Sequence, residues 1–156
     1  MKICQAISAM EIETARVLFN EYAAETGLDL CFQGFPAELA NLPGLYAPPR
    51  GRLLLAWSAS EPAGCAALRP LGDDVCELKR MYVRPDFRGR GVGRRLTGTI
   101  LAEARGIGYA TMKLDTLPVM LPAVRLYESL GFVRCAAYYD TPLTGTIFME
   151  CPLKTL

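Results

Sequence analysis

The run Arg84-Pro85-Asp86-Phe87-Arg88-Gly89-Arg90-Gly91-Val92-Gly93-Arg94-Arg95 constrains the fold of this chain more than any other. An apolar, strand-like segment, Met81-Tyr82-Val83, leads into it, and a helical pattern from Leu96 to Arg105 leaves it. Pro85 has no N–H and disfavours helix in the residue before it, so the strand must stop near Arg84. Gly89, Gly91 and Gly93 allow a tight turn without a Cβ in the way of a ligand. The helix that follows begins with N–H groups that have no partner inside it and with the positive end of its dipole. Strand, glycine loop, helix N-terminus and the arginines Arg88, Arg90, Arg94 and Arg95 together describe a pocket for phosphates. The plainer alternative is a solvated basic face on an ordinary loop.

The spacing is not that of the dinucleotide fingerprint, which needs Gly-x-Gly-x-x-Gly. Nor is it a P-loop, since no Gly-Lys-Ser/Thr follows. The cluster stands out because the background is balanced: the formal net charge is +1. A protein of that charge is not built as a polyanion binder, so nucleic acid is not an expected partner.

The chain of 156 residues has the usual size of one domain, and its hydrophobic share of 51% suffices for a sizeable core. No apolar run is long enough to cross a membrane, and Leu53-Leu54-Leu55-Ala56-Trp57 is far too short. No secretory pattern opens the sequence, and the six cysteines (Cys4, Cys31, Cys65, Cys76, Cys135, Cys151) form no Cys-x-x-Cys pair. They read as free thiols in a reducing compartment, and a cytoplasmic location is expected. There is no histidine. Ser-His and Cys-His nucleophile pairs and His-containing metal sites are therefore excluded, and no metal is expected. A general base must be a carboxylate, a water chain, or a tyrosine or lysine.

Taken in order, Lys2 to Ile7 alternates as an edge strand. Ser8-Ala9-Met10-Glu11 is a capping box opening a helix that Gly27 closes. Leu28 to Gly34 is a loop, and Pro36 opens a short helix over 37–41. Strands follow over Arg52–Ser58, Ala63–Pro70 and Val75–Val83, the first two paired as a hairpin around Ala59-Ser60-Glu61-Pro62. A helix from Gly93 to Gly106, a strand from Tyr109 to Asp115 and a helix from Leu121 to Leu130 come next. Phe132–Tyr139 and Thr146–Leu153 close the chain as an antiparallel pair. The class is α+β with a mixed sheet in a single domain spanning 1–156.

A second stretch, Ala123-Val124-Arg125-Leu126-Tyr127-Glu128-Ser129-Leu130-Gly131-Phe132, adds to the loop. Together they resemble the GNAT superfamily of acyl-CoA-dependent N-acetyltransferases. Arg88-x-x-Gly91-x-Gly93 matches that family's Arg/Gln-x-x-Gly-x-Gly/Ala pyrophosphate loop. Leu126-Tyr127 with Gly131-Phe132 matches its Leu-Tyr-x-x-x-Gly-Phe motif. The resemblance is specific from Leu78 to Phe132. It implies a mostly antiparallel sheet of about seven strands flanked by about four helices. It also implies a splay between the strand ending at Val83 and the one ending near Asp115, where the pantetheine arm of acetyl-CoA would lie.

The implied reaction transfers the acetyl group of acetyl-CoA to a primary amine by direct attack in a ternary complex. By that resemblance the cofactor-binding residues are Met81, Tyr82, Val83, Arg88, Gly89, Arg90, Gly91, Val92, Gly93, Arg94, Thr116 and Tyr127. The Val83 N–H is the oxyanion donor and Tyr127 the general acid. Read without the family pattern, Tyr127 is a core aromatic at helical spacing with Val124 and Leu130. Glu77, expected to share a strand face with Lys79 and Met81, is the first candidate for the base. Otherwise it is a strand glutamate facing Lys79 or Arg80; Asp115 or a water chain could replace it. Family members often carry asparagine where this chain has Met120, so one amide contact to the cofactor is missing; Asp115 or Thr116 is its expected substitute. The acceptor side implied by the resemblance comprises Phe32, Gln33, Phe35, Tyr138 and Tyr139, with Asp140 as an anchor for ammonium. It suggests a small or amino-acid-like amine. A non-catalytic acyl-CoA-sensing domain and a protein-directed acetyltransferase are the alternatives. A homodimer paired through the terminal strand is compatible with the resemblance.

Overall fold

The computed structural model describes residues 1–154. Seven strands form one sheet: β1 (Lys2–Gln5), β2 (Arg52–Ser58), β3 (Glu61–Pro70), β4 (Val75–Val83), β5 (Thr111–Thr116), β6 (Val133–Arg134) and β7 (Ile147–Pro152). Their order across the sheet is β1-β2-β3-β4-β5-β7-β6, and every neighbouring pair is antiparallel except β4 with β5. Four α-helices flank it: α1 (Ala9–Thr26), α2 (Phe35–Ala40), α3 (Val92–Ile107) and α4 (Leu121–Ser129). This is the mixed, mostly antiparallel α+β architecture anticipated from the sequence.

The helix ends follow local chemistry. Ser8 caps α1, its hydroxyl accepting from the Glu11 N–H while Glu11 returns a bond to the Ser8 N–H. On α3, Leu96, Ile100, Leu101 and Ala104 recur on one buried face, and Gly108 ends the helix in the left-handed region.

Alternation divides the sheet's side chains between two cores. In β2, Leu54 and Ala56 join the core beneath α3, and Leu53 and Leu55 join the one beneath α1. The apolar run of the sequence is thus a strand covered on both faces, held at its start by Arg52, whose Nε donates to Glu103 at 2.6 Å. The same strand is bonded to β1 through the Leu53 N–H, which donates to Gln5 Oε1 at 3.1 Å.

One irregularity positions everything that follows. Cys65 pairs with Tyr82 and Ala67 with Lys79, so Arg80 and Met81 together oppose Ala66. This is a β-bulge, and Arg80 within it has φ 58°. Before it, Glu77 and Lys79 share one face of β4; after it, Tyr82 lies with the α1 core while Met81 and Val83 pack on the α3 core. Strict alternation predicts Glu77, Lys79 and Met81 on one side. The extra residue moves Met81 to the other.

The chain connects β4 to β5 through α3, yet the two strands pair only between Val75–Glu77 and Thr111–Lys113. Beyond Glu77 they separate, and β5 continues alongside β7 as far as Thr116 opposite Ile147. The splay implied by the resemblance is present.

Other boundaries move. The hairpin turn shrinks to Ala59-Ser60, since Ser58 pairs with Glu61. Residues 31–33 form a single 3-10 turn, and α2 starts at Phe35. The last hairpin is much shorter than its apolar pattern suggests: β6 is only Val133–Arg134. After one further bond, from the Cys135 N–H to the Phe148 carbonyl, the chain leaves the ladder. Tyr138 and Tyr139 then pack their rings on Phe148. The terminal strand β7 lies between β5 and β6, so the edge expected to pair across a twofold is not free. No helix of the described residues is long and apolar enough to cross a membrane.

The bulge is secured by charge. Arg80 donates to both oxygens of Glu38 on α2, at 2.9 and 3.1 Å, and the guanidinium is almost fully buried. Removing one partner of such a pair strands the other charge in the interior. Glu38→Ala is expected to lower the unfolding free energy by about 3–5 kcal/mol in urea denaturation.

Candidate active site

The loop after β4 folds as its residues dictate. Pro85 to Phe87 make one 3-10 turn, with Phe87 buried as its anchor. Gly89 and Gly91 have φ of 76° and 78°, a region costly for residues with a Cβ. Gly91 then caps α3. Gly93 serves a different purpose: a Cβ there would stand 3.3 Å from Leu126, so its absence lets α3 close on α4. The N–H groups of Gly89 through Arg94 have no acceptor among the described residues. Six consecutive donors at a helix N-terminus form an anion cradle.

The arginines divide. Arg88 and Arg94 line the cleft beside the cradle; Arg90 and Arg95 do not. Arg90 lies over the Phe87 ring at 5.6 Å. Arg94 donates to Ser129 Oγ at 2.7 Å. Arg88 reaches across to α1, with Nη2 2.7 Å from both oxygens of Glu25, and its Nε donates to the Val83 carbonyl at 2.9 Å.

The cleft, about 990 Å³, runs from this loop between the end of α1 and the segment 117–122. Met81, Tyr82 and Val83 form part of its wall. The Arg84 N–H bonds the Ala63 carbonyl, which makes Gly64–Val83 a non-hydrogen-bonded pair of the ladder. The Val83 N–H is therefore turned away from β3, toward the gap left by β5.

A second cavity of about 50 Å³ occupies that gap. Met81, Met120, Ala123 and Tyr22 border both spaces. Tyr127 lines the inner one and is 6% exposed, its ring packed edge-on against Phe132 at 5.6 Å. Burial raises the phenol above its ordinary value, and neighbouring Tyr22 and Asp115 raise it further. Asp115 lines the cavity and accepts from the Tyr139 hydroxyl at 2.8 Å. Lys79, 6% exposed, donates to Gln33 Oε1 at 3.1 Å and lies 3.8 Å from Asp115. Burial pulls the Lys79 ammonium below the ordinary lysine value, opposed by the charges of Glu77 and Asp115.

The expected residues fare unequally. Met81, Tyr82, Val83, Arg88, Gly89, Gly91, Val92, Gly93 and Arg94 line the cleft, and Thr116, Gln33 and Tyr127 the inner cavity. Glu77 lines neither. It is 1% exposed, with Oε1 2.7 Å from Arg69 and Oε2 accepting from Tyr138 at 2.5 Å. Its partner is thus the cross-strand Arg69, not Lys79 or Arg80. Phe32 is 38% exposed and lines neither space. Phe35 is buried beneath the Arg80 guanidinium. Tyr138 and Tyr139 hold carboxylates rather than line a cavity, and Asp140 is exposed. Met120, at the position expected to hold asparagine, borders both spaces, with Thr116 Oγ1 3.7 Å from its Sδ. Sequence reasoning passed over Tyr22, Lys79 and the Arg80–Glu38 pair. Two cations inside the apolar strand Cys76 to Val83 were the available signal.

The chain is similar to known proteins. The sequence model of the acetyltransferase (GNAT) family matches residues 15–132. An N-acetyltransferase of Schizosaccharomyces pombe, described as uncharacterised, is 42% identical over 146 residues, covering 92% of this chain and 90% of its own. A GNAT-family acetyltransferase of Staphylococcus aureus, 18% identical, superimposes with a TM-score of 0.81 over 98% of this chain and 99% of that one. A GNAT acetyltransferase from Elizabethkingia anophelis, described with acetyl-CoA bound, is 23% identical. It gives a TM-score of 0.58 over 66% of this chain and 76% of its own. A cradle of free N–H groups, a splayed pair of strands with a buried tyrosine, and this family match agree: the chain belongs to the GNAT acetyltransferase family and is an N-acetyltransferase.

Proposed function

We propose that this enzyme transfers the acetyl group of acetyl-CoA to the primary amine of a small molecule, with both substrates bound together. The observation that carries the reading is the continuity of two spaces: the anion cradle opens on a large cleft, and that cleft shares Met81, Met120 and Tyr22 with a small inner cavity bearing Tyr127.

The donor set fits a CoA thioester. Its diphosphate is matched by the N–H groups of Gly89 to Arg94 and by Arg94. The free Val83 N–H faces the splay and supplies the oxyanion contact; one such donor is typically worth roughly 3 kcal/mol. The bound thioester supplies an activated acetyl group. The amine nitrogen attacks its carbonyl carbon, the C–S bond breaks, the leaving thiolate takes the Tyr127 proton, and the new amide nitrogen gives up its second proton, through water, to restore the phenol. Because burial raises that phenol, it stays protonated throughout the neutral range and holds the proton until the sulfur needs it.

Asp115, not Glu77, faces the inner cavity. We assign it the anchoring of the incoming ammonium, whose proton is lost to water before attack. The inner cavity's size favours a small acceptor over a protein segment.

Three outcomes follow. Tyr127→Phe should lower kcat by about 100-fold or more and leave acetyl-CoA affinity within about twofold, read by thiol release and calorimetry. Gly91→Val forces a β-branched residue to positive φ and displaces the cradle; acetyl-CoA binding should weaken by at least about tenfold. For a primary amine acceptor, kcat/KM should rise nearly tenfold per pH unit between about pH 7 and 9, following the free amine. No fall from Tyr127 ionisation should appear below about pH 10, since its folded value lies above the ordinary one.

A further inference from the structure

Six charged side chains meet between the sheet and the segment 31–40, and all but two are matched in close pairs. Arg69 takes Glu77 at 2.7 Å, and Arg80 takes Glu38 at 2.9 Å. The remaining cation, Lys79, and the remaining anion, Asp115, stand 3.8 Å apart, beyond hydrogen-bond reach. These two line the inner cavity together with Tyr127.

Each has capacity to spare. An ammonium carries three N–H donors, yet Lys79 makes one hydrogen bond among the described residues, to Gln33, whose oxygen it shares with Arg80. A carboxylate accepts about four, yet Asp115 accepts one, from Tyr139. Lys79 and Asp115 thus offer a ligand both donors and acceptors within one cavity. A simple amine would satisfy only Asp115. A ligand with an amino group and a carboxylate a few atoms apart satisfies both.

Orientation is fixed by the neighbours. The Lys79 ammonium repels an incoming ammonium, so the amine is driven to Asp115, which lines the cavity with Tyr127. The cavity is small, about 50 Å³, and opens on the cleft past Tyr22, Met81, Met120 and Ala123, so it takes a compact head group with the rest of the acceptor toward the cleft.

We propose that the acceptor is a small zwitterionic amino acid, its carboxylate held by Lys79 and its amino group by Asp115. This rests on the acetyl-transfer reading above and narrows its acceptor. The amino group, after losing its ammonium proton to water, forms the new amide bond; CoA leaves as the thiol.

The test is CoA release from acetyl-CoA with each common amino acid and with the amine that lacks only its carboxylate, such as alanine against ethylamine. Wild-type protein should prefer the best amino acid over its amine by at least about 100-fold in kcat/KM. In Lys79→Met, with acetyl-CoA binding by calorimetry as the control for folding, that preference should fall below about tenfold through a raised KM. Lys79→Arg should restore part of it. Equal turnover of the paired compounds by wild type overturns the inference and leaves acetyl transfer to small amines standing. An unchanged preference in a folded Lys79→Met overturns the role of Lys79. CoA release with no amine or amino acid, while acetyl-CoA still binds, overturns the small-amine reading and this inference with it. Should Lys79→Met fail to bind acetyl-CoA, the wild-type pairs alone decide.

Discussion

The extra residue in β4 is the constraint on which this structure turns. Arg80 in the left-handed region costs roughly 1–2 kcal/mol for a residue with a Cβ. A bulge also bends its strand and sharpens its twist. Here the bend falls where β4 has already parted from β5, so the gap between them widens instead of closing. Two results come from one defect. The backbone of Val83 faces open space, and Glu77 and Lys79 before the bulge lie on the opposite face from Met81 and Val83 after it. A regular strand would place a methionine where the charged groups gather.

The strain is tolerated because the side chain that bears it is buried and tethered by three hydrogen bonds. A guanidinium presents its donors in a fixed fork, and Glu38 and Gln33 occupy them. The same contacts hold α2 and the turn before it on the sheet. The bulge and the wall of the inner cavity are therefore one construction: loosening either loosens both.

Legibility in the sequence followed range. The anion cradle could be read because its glycines, its proline and its helix start are consecutive, and each acts through local backbone preference. The capping box at Ser8 was legible for the same reason. The splay was not; nothing in the pattern of β4 or β5 announces where two strands stop pairing, and it came only from the resemblance. Met81 was grouped with Glu77 and Lys79 because strict alternation was carried through a position where an arginine adopts positive φ, which no residue type signals; Glu77 stays outside the cavity because Arg69 and Tyr138 hold its carboxylate. Tyr138 and Tyr139 look like strand residues by spacing. Their hydroxyls instead answer carboxylates far away in sequence, the buried Glu77 and the partly buried Asp115. Long-range polar satisfaction overrode local pattern in each case.

The division of the β2 leucines between two cores carries a consequence for how the sheet finds its alignment. Where one face of a strand is wet, a slip by one position exposes the apolar set and corrects itself. Leu53, Leu54 and Leu55 would be buried either way, so greasiness cannot tell the right register from the wrong one. The information comes from the two-residue turn at Ala59-Ser60 at one end and from the few polar contacts at the strand's start. Arg52 on Glu103 and the Leu53 N–H on Gln5 act as index marks, assigning alignment along a ribbon that is otherwise nearly blind to its own position.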